Sequence, residues 1–383
     1  MQKMENKQKK ICILRSNPVD PDSRVEKEAV TLKRAGYDVI IACWDRDKDH
    51  QPQRTYINVL GEKIKIIRFG YKASYGEGFK NIISFLCFQK ALRMYLRINR
   101  FDIVHGCDFD TAFFTYGLAK RKGAKYIFDI FDFDYCDPQN IFQWLVKAAQ
   151  YKIINNSSGT IICTEDRKKQ IKGSKPKKLV VIHNSPSEEF VCKGDMRNSK
   201  KEKNKIKVVY VGILQDYRLL KEIGKFFCDN HRYEFHIGGF GKYEEYFVKL
   251  AKENENIHFY GKIAYSETIK LEQSCDIMLA IYDPQIDNHK YAAPNKFYES
   301  LMLGRPIIMA RDTGMSRIIE ENHIGVLIDY SIEGFKNGLE YLIDHIDEWG
   351  DMGNRMIDLY QSKYSWNEMS VRLKKLYLDV LEE

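Results

Sequence analysis

The chain has 383 residues, of which 44% are hydrophobic and 30% charged. With 24 Tyr and 21 Phe to bury, this composition excludes disorder as the main state, and the length favours more than one folding unit because single cores rarely outgrow about 250–300 residues. The net charge of +8 hides a split: residues 1–190 hold 34 basic against 22 acidic groups, residues 211–383 hold 20 against 29, and residues 191–210 hold seven against two.

The first ten residues are polar and lysine-rich, without the apolar core of a signal peptide. Short apolar runs at 11–14, 39–43, 64–68, 103–105, 126–129, 160–163 and 179–183 predict strands, with helical periodicity between them, notably at 25–35 and 82–98. The segment 193–207 has seven Lys or Arg and almost no apolar side chains, which predicts a solvated linker. Strands resume at 208–211, 233–237, 257–260, 277–281, 306–309 and 326–328. Alternating strands and helices with near-continuous apolar strands predict parallel sheets covered on both faces. The expectation is therefore two doubly wound, Rossmann-like α/β domains, 1–190 and 208–364, joined by a charged linker at 191–207. Ligands in such sheets sit at the carboxyl ends of the strands, so two domains facing each other would form a cleft there.

Nine cysteines include no CxxC pair, which predicts free thiols in a reducing cytosol. No run approaches the ~18 apolar residues of a membrane span. A cytoplasmic protein is expected, either free or peripheral on the inner face of the cell membrane. Two basic stretches bear on that choice. Residues 79–101 combine an apolar stripe with Lys80, Lys90, Arg93, Arg97 and Arg100, and residues 166–178 hold seven Lys or Arg and one acid. They read either as a surface for an anionic membrane or as ordinary helices with solvated cations. Zinc-finger spacing, aromatic RNA-binding motifs and helix-turn-helix signatures are lacking, so nucleic acid is not an expected partner.

The most informative segment is 293–308, Ala-Pro-Asn-Lys-Phe-Tyr-Glu-Ser-Leu-Met-Leu-Gly-Arg-Pro-Ile-Ile. Pro294 suits a helix start and Gly304 a helix stop. A helix N-terminus favours an anion, and Lys296 in its first turn makes sense beside one. Glu299, about one turn on, could accept hydrogen bonds from vicinal hydroxyls; alternatively Lys296 and Glu299 form an exposed i,i+3 pair. Asp108 and Asp110 read either as caps of a helix from Thr111 or as ligand contacts. His105 and His183 each end an apolar strand, where a histidine is either structural or catalytic.

This pattern resembles the donor-site signature of retaining family 4 glycosyltransferases with the GT-B fold, of the bacterial cell-surface polysaccharide type. Further similarities run in order along the chain: 22–29, Val181-Ile182-His183-Asn184-Ser185-Pro186, Val209-Tyr210-Val211-Gly212-Ile213-Leu214, His236-Ile237-Gly238-Gly239-Phe240-Gly241, and Tyr364-Ser365-Trp366 before a last helix, 365–383, that crosses back to the first domain. The resemblance implies transfer of a sugar from a nucleoside-diphosphate sugar to a glycan or lipid-linked acceptor hydroxyl, metal-independent and of the hexosyltransferase type, with no cofactor. It assigns Arg218, Lys296 and Glu299 to catalysis, the first two on the diphosphate and Glu299 on the ribose. It assigns Gly212, Gly239, Gly241, Tyr291, Pro294 and Asn295 to the donor, and Asn17, Arg24, His105, Asp108 and Asp132 to the acceptor. The chain departs from the family pattern at Tyr291, where a second Glu is usual, at Cys107, and at Phe131-Asp132, where a His-Glu pair is usual. Asp132-Phe133-Asp134 spells a metal-binding DxD, but in the first domain, so no metal site is expected. The alternatives are a nucleotide-sugar epimerase of the same fold and a noncatalytic membrane-associated assembly subunit.

Overall fold

The computed structural model describes residues 8–47, 49–74, 78–133, 135, 137–191 and 205–382. The chain divides into two compact units, Met1–His183 with Met369–Glu383, and Asn184–Glu368. The division falls before 184 rather than at 190 because this stretch is fastened to the second unit. The Asn184 side-chain amide donates to the Ala293 carbonyl at 2.8 Å, and the Tyr360 hydroxyl donates to the Pro186 carbonyl at 2.9 Å. Most of the expected linker, 192–204, lies outside the described residues, as do Asp134, Cys136 and Cys192.

In the first unit eight strands form one sheet: β1 (Lys10–Arg15), β2 (Asp38–Asp45), β3 (His50–Val59), β4 (Glu62–Gly70), β5 (Ile103–Cys107), β6 (Lys125–Ile130), β7 (Gly159–Ile162) and β8 (Leu179–Val181). Their order is β3-β4-β2-β1-β5-β6-β7-β8. Central strands are apolar on both faces: Ile11, Cys12, Ile13 and Leu14 are all fully buried. That is what a parallel strand covered by helices on each side requires. The exception to the predicted parallel sheet is β3, which pairs antiparallel with β4. It is an exposed edge containing Pro52, joined to β4 by Leu60 and Gly61, both at positive φ (48° and 75°), the geometry of a tight hairpin. Lacking a buried face, β3 has no alternating apolar pattern to betray it.

The second unit has six parallel strands, β9 (Ile206–Ile213), β10 (Tyr233–Phe240), β11 (Ile257–Phe259), β12 (Ile277–Ala280), β13 (Ile307–Ala310) and β14 (Gly325–Ile328), in the order β11-β10-β9-β12-β13-β14. In each unit the chain winds outward both ways from a first strand, β1 between β2 and β5, and β9 between β10 and β12. Ligands of such sheets bind at the carboxyl ends beside these switch points.

Three helices deserve mention. The one at Ile82–Ile98 has the predicted bounds, but only part of its apolar stripe is covered: Phe88, Leu92, Tyr95 and Leu96 are buried, whereas Ile82, Ile83 and Leu86 are exposed. The helix Asn295–Leu303 follows Pro294 and stops at Gly304, which takes the left-handed conformation (φ 60°) while the Arg305 N–H returns to the Ser300 carbonyl at 3.0 Å. The last helix, Trp366–Leu381, starts in the second unit, and from Met369 it belongs to the first. There Leu376 and Tyr377 are buried, and the Lys178 ammonium donates to the Asp379 carbonyl at 2.9 Å.

Candidate active site

At the carboxyl end of β9 and β12 the second unit gathers two cations over two aromatic rings. The Lys296 ammonium lies 4.5 Å from the centre of the Tyr210 ring, and the Arg218 guanidinium lies 3.7 Å over the Tyr282 ring. Lys296 is buried. Burial alone would weaken its hold on a proton, but Tyr282, Tyr210 and Glu299 more than offset this, even against nearby Arg218, so its pKa rises and it is charged. Arg218 carries the sharper signal: its Nη1 is buried and has no hydrogen-bond partner. A buried guanidinium nitrogen left open costs desolvation free energy unless an acceptor arrives. The residues on either side, Tyr217 and Leu219, both adopt left-handed backbone (φ 64° and 54°), strain of a kind found where a chain holds a functional side chain in place.

Glu299 lies inside this cluster at 2% exposure, which corrects the alternative of an exposed Lys296–Glu299 pair. It neighbours Glu272, whose carboxyl is pushed well above the usual range by burial and by Glu299 and is therefore protonated. Two of the glycines assigned to the donor are also closely approached by protein atoms. A Cβ on Gly212 would lie 2.6 Å from the Lys296 ammonium, and one on Gly239 (φ 134°) would lie 1.8 Å from the Gly212 carbonyl oxygen. Gly241 follows β10 in an exposed turn, Pro294 is a buried cap residue with exposed Asn295 after it, and Tyr291 ends a short turn over Asp287–Tyr291.

The first unit has its own polar cluster at the carboxyl ends of β1, β5 and β6. Arg15 donates to Asp22 at 2.8 Å and pairs with Asp108. Asn17 donates to the same Asp22 oxygen at 2.8 Å. Burial would raise the Asp22 pKa, but Arg15 and Asn17 hold it below the ordinary value. Asp108 is pushed up to about 7, chiefly by burial, with Arg15 opposing. Its Oδ1 accepts from the backbone N–H groups of Phe131 and Asp132, at 2.9 and 3.1 Å. Asp108 itself has φ 63° and opens the helix Asp108–Arg121; its carboxylate clamps the loop after β6 rather than capping, whereas the Asp110 carboxylate does accept from the Thr111 N–H, at 2.8 Å. The Phe131 ring lies under both Arg15 and Arg24, at 4.2 and 4.4 Å.

His105 and Arg24 are corrected as direct acceptor contacts, because both are buried. Arg24 donates to Asp129 at 2.6 Å, to Glu28 at 3.1 Å and to the Ile182 carbonyl at 2.9 Å. His105 lies with Nδ1 2.7 Å from the Tyr377 hydroxyl and Nε2 3.3 Å from Asp129. Arg24 offsets the burial that would raise Asp129, and holds it ionised. His183 is also buried, and its pKa falls to about 3, mainly through desolvation, so it is a neutral structural residue. Asp132 is exposed and pairs with Arg167 at 3.0 Å. Sequence reasoning missed Arg15, Tyr210, Tyr282 and Glu272. Arg15 and Tyr282 stand at or just beyond carboxyl strand ends, a position that could have flagged them; Tyr210 lies within β9, and nothing in the sequence around it or around Glu272 flags either.

Known proteins share this architecture. The family model described as Glycosyltransferase Family 4 matches residues 24–186, and the one described as Glycosyl transferases group 1 matches 193–357, so one model falls on each unit. The chain belongs to the GT-B glycosyltransferases. It is similar to an uncharacterised glycosyltransferase of Methanocaldococcus jannaschii, 23% identical over 192 residues, which is 48% of this chain and 47% of that protein. The chain thus spans about half the length of the curated relative it matches. Among solved structures it resembles sucrose-phosphate synthase from Thermosynechococcus elongatus (TM-score 0.75, 13% identity, covering 98% of this chain and 100% of that one). It also resembles HepE from Anabaena in complex with UDP and glucose (0.68, 11%, 97% and 100%), and WaaG, a glycosyltransferase involved in lipopolysaccharide biosynthesis (0.65, 12%, 96% and 97%). At these identities the likeness is one of fold.

Proposed function

We propose that the protein transfers a sugar from a nucleoside-diphosphate sugar to a hydroxyl of a glycan or lipid-linked acceptor, with retention of anomeric configuration. The observation that carries this reading is the open Nη1 of Arg218 beside charged Lys296: two cations with one nearby carboxylate leave positive charge for a diphosphate. In the reaction the bond from the anomeric carbon to the diphosphate breaks, the acceptor oxygen bonds to that carbon, and the hydroxyl proton passes to the departing diphosphate. Arg218 and Lys296 stabilise the charge that develops on the leaving group, so the reading needs neither metal nor cofactor. Asp108, Asn17 and Arg15 hold the acceptor. UDP bound by HepE supports a uridine nucleotide as the first donor to try.

The test is binding of UDP-sugars by calorimetry and transfer by product analysis. Arg218→Ala and Lys296→Ala are each expected to weaken UDP-sugar binding about 10–100-fold, the worth of a charge-assisted hydrogen bond of about 1.5–3 kcal/mol. Undiminished binding in both would remove the donor assignment. Donor turnover without acceptor, giving an epimer, would replace transfer by epimerisation.

A further inference from the structure

Away from the donor cluster, one face of the second unit's sheet holds an arrangement that the glycosyltransferase reading does not use. Glu234 and His236 are two residues apart on β10, so both point to the same face. His258 on the edge strand β11 is registered directly against His236. The three side chains bring one ligand atom each to within 4.8 Å of one another. His236 Nε2 is 3.3 Å from Glu234 Oε2, and His258 Nε2 is 4.0 Å from the same oxygen. The other nitrogen of His236, Nδ1, lies 2.8 Å from the Tyr260 hydroxyl, which fixes the ring with Nε2 toward the cluster.

We infer that Glu234, His236 and His258 form a binding site for a divalent transition metal of the zinc class. Two imidazoles and a carboxylate are the donor set that zinc accepts, and magnesium or calcium would ask for oxygen ligands throughout. Zinc bonds of about 2.0–2.1 Å in a tetrahedron set neighbouring ligand atoms about 3.3 Å apart. The His236–Glu234 separation already has this value, and a small rotation of the half-exposed His258 brings the third ligand in. Tyr260 supplies the outer hydrogen bond that ligating histidines use to hold their orientation. Lys207, whose ammonium is 3.7 Å from Glu234 Oε2, balances the carboxylate in the absence of metal; its side chain is 40% exposed and free to swing out. Three protein ligands leave a fourth position for water. His236 precedes Gly239 by three residues on the same strand, about 10 Å, so the site braces the β10–β11 edge without entering the donor cluster.

The test uses the full, untagged chain. After dialysis against zinc(II) and gel filtration, the parent is expected to retain one zinc per chain and to melt at higher temperature with zinc than without. Cobalt(II) in its place is expected to give visible d–d absorption. His258→Ala, a half-exposed edge-strand position, should fold with an unchanged metal-free melting temperature yet lose the retained zinc and the cobalt band. Tyr260→Phe should keep both with affinity lowered about 10–100-fold. A parent that retains no zinc, or His236→Ala and His258→Ala variants that retain it like the parent, would overturn the site.

Discussion

Asp108 reads from sequence either as a helix cap or as an acceptor contact, and the structure removes the first of these. Its position after an apolar strand suggested a cap, but its backbone is left-handed and its carboxylate takes two N–H groups from the loop after β6. With a pKa near 7, it is protonated in mild acid and ionised above neutrality. Because that value lies above the ordinary 3.8, the folded protein holds this proton more tightly than the unfolded chain. This group's contribution to stability is therefore greatest in acid and is lost as pH rises from about 4 through about 7. The ionised form is the one that pairs with Arg15 and can accept from a hydroxyl. Transfer rates should accordingly rise with pH through about 7, and Asp108→Asn should flatten that limb and slow transfer about 10–100-fold. A limb unchanged in the variant would assign it to another group. Lys296 and Arg218 were legible because their charges stand out at motif positions. Tyr210 and Tyr282 were not, because an aromatic residue in or beside an apolar strand looks like core.

At the scale of elements, neighbouring strands of the second sheet come close at a point that only small residues permit. Gly239 pairs with Gly212 across β9 and β10, and the positive φ together with the carbonyl oxygen in the Cβ position leaves no room for a methyl group. Gly239→Ala should cost on the order of 1–3 kcal/mol from backbone strain alone, with more from the displaced carbonyl. It should also weaken UDP-sugar binding by shifting Gly212 against Lys296. A thermal melt paired with calorimetry checks both, and an unperturbed melting temperature would show that the strands can part there without cost. Apolar runs revealed thirteen of the fourteen strands among the described residues, since parallel strands are buried on both faces and need such runs. β3 escaped because an exposed antiparallel edge needs only backbone pairing and a hairpin turn. The histidine pair across β10 and β11 escaped because register is not visible until the strands are paired.

For the whole molecule, the charge split finds a physical setting in the first unit. Besides Ile82, Ile83 and Leu86, the helix Ile141–Asn156 exposes Ile141 at 73%, Phe142 at 63% and Trp144 at 57%, on a unit that also carries the excess of basic residues. No described helix is long and apolar enough to cross a membrane. Exposed apolar side chains on a basic unit are the reason to test binding to an anionic bilayer surface. The protein should co-float with vesicles containing anionic phospholipid, less so at high salt. Since a large apolar side chain contributes about 1.5–3 kcal/mol on burial, the double substitution Phe142→Ala with Trp144→Ala should lower the bound fraction more than tenfold. Equal flotation of parent and variant would discard the surface. The returning C-terminal segment also bears on the order in which the chain matures. Residues Asn184–Glu368 are continuous and can fold as they are made, whereas the first unit waits for Leu376 and Tyr377 to fill its core. The half synthesised first is thus completed last. Until the segment from Met369 is made, the part of the first unit's core that Leu376 and Tyr377 fill stands open.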